Sequence, residues 1–263
     1  MNANEFKGQC AIVTGAASGI GREVARLVAR NGGNVGCLDV NADGLRETKQ
    51  FIAHESPDCI VKTATADVAS EIEIHGAMTA FEFERVHYLF NVAGVIWSKP
   101  FLECTTDDLL RIMRINVGSI ITMTAAVAPL MTSGGVIINT SSASAITLHT
   151  GSSIYSASKN AVVFLTRFMA HELAERNIRV CAIGPGPVNT AMPQNLMAAR
   201  GLPAGPDDVR KRLARDLLVP PPVAEADELA ITMCRLATPE FRYCTGTTLW
   251  VDAGINAKGD PII

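Results

Sequence analysis

Tyr155 and Lys159 stand four residues apart, and Ser142 precedes the tyrosine by thirteen. Four residues is about one turn of helix, so the phenol and the ammonium share one helical face. A free phenol ionises near pH ~10, too high for proton transfer at neutral pH. A fixed ammonium beside it favours the phenolate and lowers that value. A tyrosine that gives and takes a proton near pH ~7 suits chemistry at a carbonyl or alcohol oxygen. The Tyr-x-x-x-Lys spacing also arises by chance on solvated helices, so the pair gains meaning only from the elements that position it.

Those elements are short runs rich in Val and Ile, alternating with longer helical patterns. The runs at 9–14, 34–39, 59–65, 86–91, 135–141, 178–184 and 247–251 predict seven strands. Several are apolar on both faces, as parallel strands covered by helices are. The patterns at 19–31, 42–54, 70–83, 106–131, 153–176 and 225–237 predict helices. Thr105 or Thr106 is an N-cap for the fourth, with Asp107 and Asp108 in its first turn. This alternation predicts an α/β fold: a doubly wound parallel seven-stranded sheet, Rossmann-like, with helices on both faces, in a single domain over 1–263. Tyr155 and Lys159 fall on the fifth helix. The stretch 190–223 breaks the rhythm with Pro193, Gly201, Pro203, Gly205, Pro206 and Pro220 to Pro222 around a short basic piece, Val209 to Leu218. An insertion this long predicts a substrate lid.

The first strand runs straight into Thr14-Gly15-Ala16-Ala17-Ser18-Gly19-Ile20-Gly21, and a helix follows. Glycines at such a turn let the backbone approach a pyrophosphate, and the helix N-terminus favours its charge. The spacing Gly-x-x-x-Gly-x-Gly departs from the commonest dinucleotide fingerprint, but its place after the very first strand favours a nucleotide over a packing turn. Asp39 ends the second strand. A carboxylate there accepts hydrogen bonds from ribose hydroxyls and repels a 2′-phosphate. Residues 16–18 offer no basic group for such a phosphate, and Arg22 is the only nearby candidate. The expected cofactor is therefore NAD rather than NADP.

The formal net charge of −3 and the absence of a long basic run argue against nucleic acid or an anionic membrane as partner. The seven cysteines form no Cys-x-x-Cys pair, and several sit in apolar runs, which predicts reduced core thiols in the cytoplasm. The five histidines lack metal-ligand spacing, so no metal is expected. The N-terminus carries no apolar signal region, and no secretory signal is read there. Residues 115–158 contain no Asp, Glu, Lys or Arg, but Pro129 and Gly134-Gly135 interrupt them. The stretch is expected to be buried, in part against another subunit.

Together these motifs resemble the short-chain dehydrogenase/reductase family, in its compact single-domain branch, over nearly the whole chain. Thr14 to Gly21 matches the family's cofactor loop, and Asp67-Val68 the pair placed against the adenine. Asn91-Val92-Ala93-Gly94 is similar to the family's Asn-Asn-Ala-Gly, with Val92 a departure. Pro185-Gly186-Pro187-Val188-Asn189-Thr190 matches the segment that holds the nicotinamide carboxamide, and Val251-Asp252-Ala253-Gly254 resembles the C-terminal Val-Asp-Gly-Gly. Asn116, Ser142, Tyr155 and Lys159 match the catalytic tetrad. The resemblance implies that Tyr155 is the acid/base, that Lys159 lowers its pKa and binds the nicotinamide ribose, and that Ser142 holds the substrate oxygen. It also implies that Asn116 holds a water linking Lys159 to solvent. Ser141 is the rival for the serine role, and the thirteen-residue spacing favours Ser142. Between Asp67 and Asn91 the chain is about a helical turn shorter than in many relatives, so a trimmed helix is expected there.

Trp97, Ile146, Leu148, His149 and Met192, with the lid, are the candidates for the substrate pocket. Their apolar majority implies a hydrophobic secondary alcohol or its ketone. The resemblance further implies a homotetramer, with the two helices flanking Ser142 packed against their copies and the first of them, at 116–131, free of charge. A 3-oxoacyl-thioester reductase is the rival activity, and a non-catalytic NAD-sensing scaffold the rival class.

Overall fold

The computed structural model describes residues 4–199, 201–205, 207–208, 211 and 223–257. Seven strands form one parallel sheet in the order β3-β2-β1-β4-β5-β6-β9. They are β1 (Cys10–Thr14), β2 (Asn34–Asp39), β3 (Val61–Thr65), β4 (Val86–Asn91), β5 (Met131–Thr140), β6 (Arg179–Pro185) and β9 (Thr248–Val251). Two short strands, β7 (Val188–Asn189) and β8 (Ala224–Glu225), pair separately. The helices are α1 (Gly19–Arg30), α2 (Ala42–Glu55), α3 (Glu71–Phe81), α4 (Thr106–Met113), α5 (Ser119–Val127), α6 (Ser153–Glu172), α7 (Ala191–Ala199) and α8 (Ala226–Ala237).

Alternation along each strand sorts the core into two layers. Ala11, Val13, Tyr88, Phe90, Val136 and Ile138 pack with Val24 and Val28 of α1 and Leu229 and Met233 of α8. Ile12, Leu89, Ile137 and Val180 point the other way, onto Ile74 of α3, Met123 of α5 and Val162 of α6. Both faces are covered, which is why these strands read as continuous apolar runs. The strand order reverses between β1 and β4, and ligands in open α/β sheets bind outside the carboxyl ends of strands at such a point.

The fourth helix of the sequence reading is not one α-helix. α4 ends at Met113, a π turn spans Arg114–Gly118, and α5 follows to Val127. A π turn inserts one extra residue and re-aims the side chains at it; here it turns Asn116 inward, 1% exposed. By length and apolarity alone, Thr106–Leu130 could cross a membrane. Its α5 half instead buries Ile120, Met123 and Val127 in the second core layer, as a core helix does. The α3 helix begins at a Ser70 cap whose side chain accepts from Glu73 N, and it stops at Glu82 in a left-handed conformation. Within the predicted lid, 191–199 is the helix α7; most of 200–222 lies outside the described residues.

Candidate active site

Helix α6 carries Tyr155 and Lys159 on the stripe Tyr155, Lys159, Val162, Thr166, Met169, all buried. That is the helical spacing of a core face, with two polar groups in its first turns. The strand β5 ends at Thr140, and the chain turns through Ser141 and Ser142 over those turns. Lys159 Nζ donates to Thr140 O at 2.9 Å, and its charge lies 5.9 Å from the centre of the Tyr155 ring. Burial pushes the Lys159 ammonium down to about 8. Burial pushes the Tyr155 phenol up, and a hydrogen bond with Ser142 opposes that shift. The sequence reading gave the lowering to Lys159. The structure adds Ser142 as a second group that lowers the phenol pKa, through the hydrogen bond, while the ammonium also holds the Thr140 carbonyl.

The two serines separate cleanly. Ser141 Oγ, 2% exposed, donates to the Lys159 carbonyl at 2.8 Å, so its proton is committed to the helix backbone. Ser142 Oγ accepts from Ser144 N at 3.2 Å, which leaves its own proton for the cleft. Asn116 is also committed. Its Oδ1 accepts from Val95 N at 2.8 Å, while Nδ2 donates to Val95 O and to Ser158 Oγ, each at 3.0 Å. Asn116 therefore clamps the segment after β4 onto α6, and its side chain does not line the cleft. Its side chain thus has a positioning role. Gly94 makes room for this: a Cβ there would lie 3.1 Å from Asn116 Oδ1 and 3.3 Å from Lys159 Nζ.

These groups close one end of a cleft of about 780 Å³. At its other end stands the turn after β1. Gly15 has φ +70°, and a Cβ on it would meet Ala93 N at 2.9 Å. A Cβ on Gly21 would fall 2.2 Å from Gly15 O. Only glycine permits this close turn. Ser18 caps α1 without using its side chain, and the first turn holds no acidic residue, so the helix presents its free N–H groups to the cleft. Ser18, Gly19, Ile20 and Gly21 all line it. Asp39 lines it too, with one carboxylate oxygen on Ala17 N at 3.0 Å and the other on Asn41 N at 2.9 Å. Asp67 and Val68 follow, the Asp67 carboxylate accepting from Ala69 N at 2.8 Å. Ala93, Gly94, Pro185, Gly186, Val188 and Thr190 complete the path between the two ends.

Besides Asn116, four sequence candidates do not line the cleft. Asn91 lies inside the sheet, where Nδ2 donates to Asn139 Oδ1 at 2.9 Å; it ties β4 to β5 and does not face a ligand. Trp97 turns aside under the Arg111 guanidinium, 5.8 Å from its ring centre. Ile146 and Leu148 are 47% and 99% exposed, on the outside of the turn that follows Ser142. His149 and Met192 do line the cleft, joined by Pro193, Leu196, Met197 and Leu202.

The sequence places Thr14 in the cofactor loop without a role of its own and does not mark Ser158. Thr14 Oγ1 accepts from both Val92 N and Ala93 N at 3.1 Å. Because that link runs through backbone N–H groups, Val92 is tolerated where the motif has Asn. A hydroxyl at the last position of β1, directly before Gly15, was the available signal. Ser158, one residue before Lys159, gave none.

Residues 15–256 match a family model described as enoyl-(acyl carrier protein) reductase. Levodione reductase of Leifsonia aquatica is 30% identical over 259 residues, which cover 96% of each chain. The chain belongs to the short-chain dehydrogenase/reductase family. Solved members overlay closely. Carveol dehydrogenase from Mycobacterium avium, in complex with NAD, gives a TM-score of 0.89 at 27% identity, covering 97% of this chain and 100% of that one. A short-chain dehydrogenase from Burkholderia cenocepacia, in complex with NADP, gives 0.86 at 28% identity over 96% and 100%. This is a family of oxidoreductases, and these two solved members are in complex with nicotinamide dinucleotides.

Proposed function

We propose that this family member is an NAD-dependent oxidoreductase acting between a hydrophobic secondary alcohol and its ketone. The carrying observation is the cluster of Ser142 with the buried Tyr155 and Lys159 at one end of a cleft whose other end is the N-terminus of α1. The turn at Gly15 to Gly21 fits a pyrophosphate, since its glycines leave no Cβ in the way. A nicotinamide dinucleotide bound there would supply the hydride exchange with the carbinol or carbonyl carbon. In the oxidation direction Tyr155 takes the hydroxyl proton as the carbon–oxygen double bond forms, and in reduction it gives the proton back. Ser142 donates to the same oxygen and steadies its charge. Lys159 holds a positive charge beside the phenol and favours its ionised form.

Asp39 supports NAD over NADP. A carboxylate at the end of β2 would repel a 2′-phosphate, and Lys159 is the only Lys or Arg among the described residues lining the cleft. Arg22 does not line the cleft and is committed to Glu47 at 2.9 Å, Thr48 Oγ1 at 3.0 Å and the Ala17 carbonyl. The apolar Met192, Pro193, Leu196 and Met197 support a hydrophobic substrate. We further propose a homotetramer, because Ile121 of α5 and Phe164 and Phe168 of α6 are half or more exposed, the two Phe rings 5.0 Å apart. Light scattering coupled to size exclusion tests this, and a monomer refutes it.

NAD reduction with a panel of secondary alcohols, set against NADPH oxidation with 3-oxoacyl thioesters, tests the activity. Faster turnover of the alcohols upholds it. Turnover of the thioesters alone shifts the reading to a 3-oxoacyl-thioester reductase. Dinucleotide binding without turnover of either leaves a sensor.

A further inference from the structure

The substrate end of the cleft is built from two unlike sets of side chains. Helix α7 and its flank supply Met192, Leu196 and Met197, which make no hydrogen bonds through their side chains. The turn between Ser142 and α6 supplies Ser144, His149 and Ser152. Besides Asp39 and Asp67 near β2 and β3, and Tyr155 and Lys159 themselves, His149 is the one ionisable lining side chain among the described residues.

Its tautomer follows from its neighbour. Thr147 Oγ1 lies 2.9 Å from Ala143 O and 3.1 Å from His149 Nε2. A hydroxyl has one proton, and a carbonyl only accepts. The threonine back-bonds to the carbonyl four residues earlier, the usual habit of Thr on a helical turn. Toward His149 the threonine oxygen is therefore an acceptor, and Nε2 carries the ring hydrogen. In the neutral imidazole, Nδ1 is then a bare acceptor. The ring makes no other hydrogen bond among the described residues.

We propose that His149 selects substrates bearing a second hydroxyl group, whose hydrogen bond Nδ1 accepts while Tyr155 and Ser142 hold the reacting oxygen. The substrate class is then a diol on an apolar frame, or the matching hydroxyketone in reduction. Thr147 is a positioning residue that fixes the ring. The proposal rests on the alcohol reading above and narrows it. A partly solvated hydrogen bond of this kind gives a preference of about tenfold, well short of what a fully buried polar site achieves.

The test compares kcat/KM with NAD for the cyclohexane-1,2-, 1,3- and 1,4-diols, their monomethyl ethers and cyclohexanol. The ethers keep an acceptor oxygen and lose the donor. At least one diol is expected to exceed both its ether and cyclohexanol by about tenfold, after allowance for its two equivalent hydroxyls. His149→Leu brings that ratio to about one, and His149→Gln, which retains an acceptor, keeps part of it. Thr147→Val lowers the ratio through KM, and Thr147→Ser restores it. An ether that equals its diol, or a preference that survives His149→Leu, overturns the proposal. If no alcohol is oxidised, the alcohol reading fails by itself. Calorimetric binding to the NAD-loaded protein then decides: tighter binding of a diol than of its ether, lost in His149→Leu, upholds the selectivity, and equal or absent binding overturns it.

Discussion

Burying Lys159 has a thermodynamic signature that can be isolated. The ammonium is 4% exposed and its pKa is lowered from 10.5 to about 8 by burial. The unfolded chain holds this proton up to about pH 10.5, whereas the folded chain gives it up near 8. Between those values the unfolded state binds more protons, so stability rises with pH. A gap of about 2.5 units at ~1.4 kcal/mol each is about 3 kcal/mol. Replacing Lys159 by Met keeps the length and removes the charge. It also leaves Thr140 O without its donor, a cost of about 1–3 kcal/mol at every pH. The pH-independent cost cancels when the variant is compared with its parent across pH. Both proteins are made in a Tyr155→Phe background, so that the neighbouring phenol does not titrate with the lysine. Denaturant unfolding from pH 7 to 10.5 gives the stabilities by linear extrapolation. The parent should gain about 3 kcal/mol on the Lys159→Met variant as pH rises through that window. A difference that stays flat with pH refutes the argument that burial holds the lysine near its ionisation point.

Tyr155→Phe alone should lower kcat by about 10²–10⁴, the usual contribution of one general acid/base, with dinucleotide still bound by fluorescence titration. Gly21→Ala puts a Cβ 2.2 Å from Gly15 O, so the loop must open; dinucleotide affinity should fall more than about tenfold. Asn116→Ala removes three hydrogen bonds to Val95 and Ser158 and should cost about 2–4 kcal/mol in chemical denaturation. Asp39→Ala should move the ratio of NADP to NAD efficiency upward by about tenfold, since it removes a charge that repels the 2′-phosphate; an unchanged ratio would set aside the cofactor assignment.

What was legible in the sequence follows from what each signal depends on. All seven sheet strands stand where the apolar runs predict them, and for the central strands this is because burial on both faces leaves no polar alternation to obscure the pattern. The glycine turn and the Tyr155–Lys159 face were readable because each is a local constraint, a missing Cβ in one and a helical period in the other. The π turn at Arg114–Gly118 was not readable, since nothing in Arg-Ile-Asn-Val-Gly marks an inserted residue. It arises from tertiary demand: Asn116 must reach Val95 and Ser158, which lie 21 and 42 residues away in the chain. The same dependence explains the pocket. Trp97 and Leu148 are apolar and flank the right motifs, but which way they turn is set by Arg111 and by solvent, neither of which is near in sequence. Asn91 shows the converse, a polar residue in a cofactor motif whose hydrogen bond to Asn139 serves the sheet. The motif residues fall into two groups, those that touch the cleft and those, such as Thr14, Asn91 and Asn116, that hold the first group in place. Sequence spacing alone does not separate them, because both kinds of residue are needed at fixed positions along the same turns.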